Sequence, residues 1–493
     1  MTLTSGTLPA WDGTVNTFLN AQVYGYDSSG NCVTLASGSV PCTVATVASN
    51  TSFTITPALS ASYTNITFVL SKRWDAALAA MQYNFSSFTL PLGYTIATPT
   101  VNGWGYAGSD GGSTIDLSPA GYSGALWLFD DSFWARSADS GADRTTLELI
   151  DNCVAVQNGY NMASSGALNF YIYNQPGQDP QGHGLFHPTN PNITFFNSYD
   201  SSSRFWPQGG ICINATNVQI VFYATVNSKF GGFPTVLQVT NIMNGSSVRN
   251  PKDWIMQEIS LEFSGQYSDF PGASGGSPLD VGDNYYYWLL GAQSYRVKRF
   301  LKSDIANIDW DKPQEYLGKS IGWDSNESVN GSDVFPRSKA AGQIMFGPKG
   351  LAYYDSNSAT YKMLYNYKIT SGLYKHADNT RYVLSTLDNN YIGAASGMYT
   401  TTTAVENGWN ETPTKNMFYC TQYSDASTFG SGGNLLDGSV IGWYDVNAHP
   451  EQTWTGRTSG DMLFTIDSNT IGGYSTRDDA STYWVTPYRV TGI

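Results

Sequence analysis

Gly108-Ser109-Asp110-Gly111-Gly112-Ser113-Thr114-Ile115-Asp116-Leu117 is followed, after a polar turn, by Ala125-Leu126-Trp127-Leu128-Phe129-Asp130-Asp131-Ser132-Phe133-Trp134. Two strand-like runs parted by a turn read as a β-hairpin. The reading puts Asp110 where the first strand starts and Asp130 and Asp131 where the second returns, so antiparallel pairing brings acids from both arms to one rim. Simple alternation sets Phe129 and Asp131 on one face and Asp130 on the other.

The same unit, a short strand, a Gly/Asn/Asp turn and a strongly apolar strand, recurs along the chain. It is found at 210–213 with 218–223, at 277–281 with 284–290, at 342–346 with 351–354 and at 449–454 with 462–466. The spacing, roughly 60 to 110 residues, exceeds that of a regular WD-type blade, so large insertions are expected. Five four-stranded blades closed into a ring use five such hairpins without leaving edges exposed. The expected fold is therefore all-β, with a five-bladed β-propeller over residues 91–493. A two-sheet jelly roll competes for the same strands. Residues 1–90 alternate in shorter runs, such as Ala21-Gln22-Val23-Tyr24-Gly25-Tyr26, and predict a small N-terminal β-sandwich that serves as an attachment or accessory module. Helix candidates are confined to 74–81 and 303–310.

Composition narrows the function. The chain of 493 residues has a net charge of −14, and its 14% of aromatic residues outweighs its 13% of charged ones. Surface polarity must then come from Ser, Thr, Asn and Gly, as in β-rich proteins that handle carbohydrate. So negative a field repels nucleic acid. Residues 1–25 lack a basic start followed by an apolar run, and no apolar stretch reaches the ~18 residues of a membrane span, so neither a signal peptide nor membrane insertion is expected on this chain. The five cysteines match no zinc spacing, and only Cys32 and Cys42, flanking a turn, are placed for a local bridge.

In a propeller the first strands line a central channel and start at one face, so 110, 204–208, 272–276, 337–339 and 447–451 would converge. Asp110 is read as nucleophile or general base, although a turn aspartate capping backbone amides has the same local sequence. Asp131 is read as its partner acid, with a salt bridge to Arg136 or Arg144 as the structural alternative. Glu258 is the best of the other carboxylates, ahead of Asp253, Asp280 and Asp283. Trp206, Gln208, Arg337, His449 and Glu451 are the candidate substrate-binding residues, offering ring stacking and hydroxyl hydrogen bonds; a satisfied strand-end histidine is the alternative for His449. His183 and His187 lie four apart, but among Gly and Pro, so no metal pair on a helix is expected. No cofactor is implied, and a structural Ca²⁺ ion is left open.

Asp110-Gly111-Gly112-Ser113 followed by Leu126-Trp127-Leu128-Phe129-Asp130-Asp131-Ser132-Phe133 resembles the first-blade pattern of five-bladed propeller glycoside hydrolases. The similarity is to the endo-D-arabinanase type, relatives of the arabinanase and levansucrase-like furanosidases. Asn284-Tyr285-Tyr286-Tyr287-Trp288-Leu289-Leu290-Gly291 and Ala448-His449-Pro450-Glu451 are similar to third- and fifth-blade elements of that group. Asp130 departs from the pattern, standing where the family has Gly. The resemblance implies a depolymerase that cleaves a bacterial cell-surface polysaccharide, such as a D-arabinan-like furanose polymer, with the family's acids falling on Asp110 and Asp131. The N-terminal module and the absent signal suggest a phage tail spike or tail fibre: an extracellular or virion location, tail components as partners, and a homotrimer. The rival reading is a non-catalytic glycan-binding adhesin or receptor-binding tail protein, and a weaker one is a polysaccharide lyase.

Overall fold

The computed structural model describes residues 19–73, 104–136, 148–172, 183–259, 277–324 and 440–491, with short breaks inside these stretches, and the backbone of the strands between 343 and 419. Arg337, the 74–81 helix candidate and the 272–276 loop lie outside the described residues. The architecture is all-β. Its one α-helix among the described residues, Lys302–Ala306, falls at the second helix candidate.

Four of the five expected hairpins pair antiparallel as read and seed sheets; in the fifth, Met462–Ile471 pairs with Val440–His449, and the expected strand 449–454 falls in the turn after His449. The first sheet runs Trp104–Asp116, Gly124–Arg136, Cys153–Asn158 and Leu168–Tyr171. In the second, Phe205–Asn214, Asn217–Val226, Lys229–Val239 and Met256–Ile259 follow one another, with Ile193–Thr194 added in parallel at the edge. A third covers Leu279–Asp280 to Trp323–Asp324. Between 343 and 419 two sheets interleave: Trp409–Asn410 pairs back onto Gln343–Gly347, while Lys415–Tyr419 pairs with Ala395–Thr401. The closing sheet holds Val440–His449, Met462–Ile471 and Val485–Val490. Two expectations shift. The first strand begins at Trp104, so Asp110 lies in its middle, and the strand before the last turn is Val440–His449, so His449 ends a strand.

The apolar strands read as nearly continuous because both of their faces are covered. Leu126 and Leu128 pack with Val218, Ile220 and Phe222 of the second sheet. Trp127 and Phe129, one residue out of phase, pack with Leu463, Trp484 and Val485 of the closing sheet. Val221 and Val236 on the far face of the second sheet meet Trp288 and Phe300 of the third. Successive sheets thus stack face on face, with the first between the second and the last.

Thr67–Arg73 joins the chain's two ends. One edge pairs with Gln22–Tyr26 and the other with Val485–Val490, with Tyr488 opposite Arg73 and Val490 opposite Ser71. One hydrogen-bonded sheet therefore runs from the C-terminal hairpin into Gln22–Tyr26, Cys42–Ser49 and Ser52–Thr56. The Cys32–Cys42 bridge does not form: Cys42 is a free, buried thiol. Along one edge of the Gln22–Tyr26 strand Cys32 stands opposite Tyr26 and Cys42 opposite Val23. Three residues of strand, about 10 Å, separate them, beyond disulfide reach.

Gly210 marks how closely the first two sheets approach. A Cβ there would lie 2.4 Å from the Gln219 carbonyl oxygen and 2.6 Å from Ile115 Cδ1 across the sheet junction. Gly210→Ala is expected to destabilise the fold by about 1–3 kcal/mol through overpacking; its urea midpoint should fall, and an unchanged midpoint would contradict this packing.

Candidate active site

The Trp104–Asp116 strand is where the first sheet meets the closing sheet, and it cannot run straight. Its register slips between Tyr106 and Gly108, between Ser109 and Gly111, and between Gly111 and Ser113. Gly111 and Gly112 both take φ +86°, and a Cβ on Gly111 would stand 2.9 Å from the Asp130 backbone nitrogen, so only glycine fits. Ser109 faces Ser132 and Gly111 faces Phe129, which leaves Asp110 opposite both Asp130 and Asp131. The bulge breaks the expected alternation. Phe129 stays in the aromatic core, 5.5 Å from Tyr106, whereas Asp131 turns to the second sheet. There Trp206 Nε1 donates to Asp131 Oδ1 at 2.8 Å, and Arg204 Nη1 lies 3.8 Å from Oδ2.

The closing sheet brings more acids to the same place. Its first strand bulges between Tyr444 and Asn447, holding Asp445 at φ +51°. Asp467, fully buried, accepts the Gly111 N–H on Oδ2 at 2.6 Å, while Asn447 Nδ2 donates to the Gly111 carbonyl at 3.1 Å. Tyr483, at φ +64°, hydrogen-bonds to Asp110. A bulky residue with positive φ is a backbone outlier. Two of the four non-glycine residues of this kind among the described ones sit in this cluster, and stored strain of that sort gathers at functional sites.

Burial governs the protonation of these groups. It pushes Asp130 well above the usual carboxylate range, with Asp110, Asp445 and Asp131 adding to the rise. Asp467 is raised in the same way, by burial and then by Asp445 and Asp110, against the pull of the Gly111 N–H. Asp445 is pushed up to about 7 by burial. For Asp131 burial outweighs the Trp206 N–H and the Arg204 charge, so its carboxyl is raised too. Asp151, whose Oδ1 lies 3.7 Å from Arg204 Nε, is raised to about 7 by burial against that guanidinium. Carboxyls kept protonated beside others are the arrangement that supports acid and base roles in one site.

The remaining candidates spread out. Half-buried Trp206 stacks on Tyr223 with rings 15° from parallel, and Gln208 Nε2 reaches the Trp206 carbonyl at 3.4 Å. His449 and Glu451 come together in the core beside the acids. The imidazole lies 3.1 Å from Thr114 Oγ1 and 2.9 Å from Thr465 Oγ1, stacked on Trp127. Glu451 accepts from Thr114 at 2.9 Å; burial pushes its carboxyl up, but His449 holds it below the usual value. Glu258 is elsewhere, three strands from Phe205–Asn214 within the second sheet, accepting from Tyr199 and Thr235 hydroxyls at 2.6 Å each. His183 and His187 stack at 3.8 Å, and burial and that neighbour lower His187 to about 4. Among the described residues no group of three His, Cys, Asp or Glu is arranged to hold a metal ion. Asp445, Asp467 and Tyr483 are the site residues that sequence reasoning missed. The one signal for Asp467 is an acid closing the apolar run Met462-Leu463-Phe464-Thr465-Ile466, which is buried on both faces.

A family profile described as a domain of unknown function, DUF5005, matches residues 99–390. No curated protein matches the chain. Among solved structures, a candidate hydrolase from Bacteroides ovatus ATCC 8483 is similar at 14% identity and a TM-score of 0.48, covering 88% of this chain and 92% of its own. Another, from the GH130 family of mannoside phosphorylases, which contains glycoside hydrolases targeting beta-1,2 mannosidic linkages in Candida mannan, is 10% identical with a TM-score of 0.35 over 85% of this chain and 93% of its own.

The raised carboxyls set a pH dependence of stability. The folded chain keeps protons on Asp445 and Asp151 up to about pH 7, while the unfolded chain releases them near pH 4. Between those values the folded state binds more protons, so stability falls as pH rises and levels off above about 7. Thermal melts should give a higher Tm near pH 5 than near pH 7.5, with Asp445→Asn flattening the slope; a Tm rising across that window would refute the burial of these acids.

Proposed function

The chain belongs to the DUF5005 family, and we propose that it is a glycoside hydrolase whose two working carboxyls are Asp110 and Asp130. The observation that carries this reading is the bulge that sets Asp110 across from Asp130, a carboxyl raised well above its usual value and still partly open to solvent. Asp130 gives its proton to the leaving glycosidic oxygen as the bond to the anomeric carbon breaks. Asp110, accepting the Tyr483 hydroxyl, attacks that carbon or takes a proton from the water that does. Water supplies the hydroxyl of the new reducing end and a single proton, which restores Asp130 directly when water displaces Asp110 from the anomeric carbon, or by way of Asp110 when Asp110 is the base that takes it. Asp131, held by Trp206 and Arg204, and the half-buried Trp206 ring face the sugar on the second-sheet side. The expected partner acid thus becomes a binding group, and Glu258 takes no part in the chemistry.

The wider reading follows from the same features. The interleaving of the two sheets between 343 and 419 makes them one unit, so the chain has five units that can serve as the five blades of a propeller, with Thr67–Arg73 adding a strand to the last. Among the described residues Arg204 is the one cation in the charges acting on Asp130, Asp131 and Asp151, which favours an uncharged polysaccharide. A bacterial cell-surface furanose polymer of the D-arabinan kind is the proposed substrate, with no cofactor. The proposed setting is extracellular or on a virion tail, as a homotrimer.

Asp110→Asn should abolish release of reducing ends while glycan binding persists. Asp130→Asn should lower turnover of polysaccharide roughly 10²–10⁴-fold, and much less with an aryl glycoside whose leaving group needs no proton. A reducing-end assay with product masses reads both; a wild-type protein that binds glycan without shortening it is an adhesin instead.

A further inference from the structure

Three side chains from the closing sheet act on two consecutive residues of the bulged strand. Tyr483 hydrogen-bonds to the Asp110 carboxylate. The next residue, Gly111, is gripped on both sides of its backbone, its N–H by Asp467 and its carbonyl by Asn447. A bulge leaves such groups without their ordinary ladder partners, and a buried backbone group without a partner is costly. The side chains that fill the gap lie more than 330 residues away in sequence. Gly111 has no side chain of its own to wedge it in place, and its φ of +86° is open to many alternatives. The grip fixes the peptide that follows Asp110 in one orientation.

We propose that Asp467, Asn447 and Tyr483 are positioning residues for Asp110: they lock the Gly111 peptide and the Asp110 carboxylate in the orientation that faces Asp130. The inference rests on the glycoside hydrolase reading for its consequence, though not for its geometry. All three residues lie beyond residues 99–390, so the catalytic unit is larger than the family domain. Asp467 acts through its shape as an acceptor. Its Oδ2 binds the Gly111 N–H, and the burial that keeps its proton on makes a neutral amide a fair replacement. Tyr483 acts through its hydroxyl alone, since its ring is independently packed 4.8 Å from Phe133.

The test compares Asp467→Ala, Asp467→Asn and Tyr483→Phe in the full-length protein. Hydrogen exchange at the Gly111 amide needs no substrate; it should speed about tenfold or more in Asp467→Ala and stay near wild type in Asp467→Asn, whose amide oxygen still accepts. On a hydrolysed glycan, Asp467→Ala and Tyr483→Phe should each lose roughly 10–100-fold in kcat with KM little changed, as a small misplacement of a reacting group does. Asp467→Asn should keep kcat within about threefold of wild type. Unchanged kcat in Asp467→Ala, or equal damage from the alanine and asparagine variants, overturns the positioning role. If wild type hydrolyses no glycan while Gly111 exchange responds as described, the lock stands and the hydrolase reading falls.

Discussion

Burial of the first sheet on both faces is the constraint from which the site follows. Leu126 and Leu128 are committed to the second sheet, Trp127 and Phe129 to the closing one, and neither face is left for water. The acids at its bulge lie against that dry packing, with Asp467 fully buried and Asp130 largely so. A carboxyl in such surroundings is more stable with its proton than without, which is why Asp130 and Asp467 are raised well above their usual range. Packing chosen for stability thereby sets the protonation on which the proposed chemistry runs.

The bulges are what make this compatible with a continuous strand. Glycines at 108, 111 and 112 take backbone angles closed to other residues, and Asp445 and Tyr483 accept unfavourable ones. Each irregularity turns a polar group toward the sheet junction that a regular ladder would have pointed elsewhere. His449 and Glu451 show the opposite outcome a few residues away. There the ladder around Thr114, His449 and Thr465 is regular and the polar groups satisfy one another through Thr114 and Thr465, giving a hydrogen-bonded layer that Glu451 joins from the following turn.

Much of the architecture was legible in the sequence because both signals involved are local. Period-two alternation and Gly/Asn turns define each hairpin within about twenty residues, and four of the five pair as read, the fifth taking Val440–His449 as its first strand in place of 449–454. Asp110, Asp131 and Trp206 were also legible, as acids and an aromatic ring at strand positions around turns. What could not be read was set by register. The extra residue opposite Asp110 flips Asp131 away from Phe129 and brings Asp130, which simple alternation set on the opposite face from Asp131, into the cluster. Asp445, Asp467 and Tyr483 come from more than 300 residues downstream, and no local pattern announces that the closing sheet lies against the first. Glu258 is the converse case: an acid before a Ser/Gly-rich stretch reads as a site residue, while its strand stands three strands from Phe205–Asn214 in the second sheet, away from the Asp110–Asp130 cluster.

The pairing of Thr67–Arg73 with Val485–Val490 has a consequence for how the protein is made. About 400 residues must be synthesised after the first strand before its partner exists, and at ribosomal speeds that is roughly 20–80 s. During that interval the strand presents an open hydrogen-bonding edge to whatever is near, including the same strand on neighbouring nascent chains. The final hairpin then closes the sheet and completes the setting of Asp110 in one event. A chain that stops short of Val485 would leave the Thr67–Arg73 edge without this partner and Asp110 without the side chain of Tyr483 beside it.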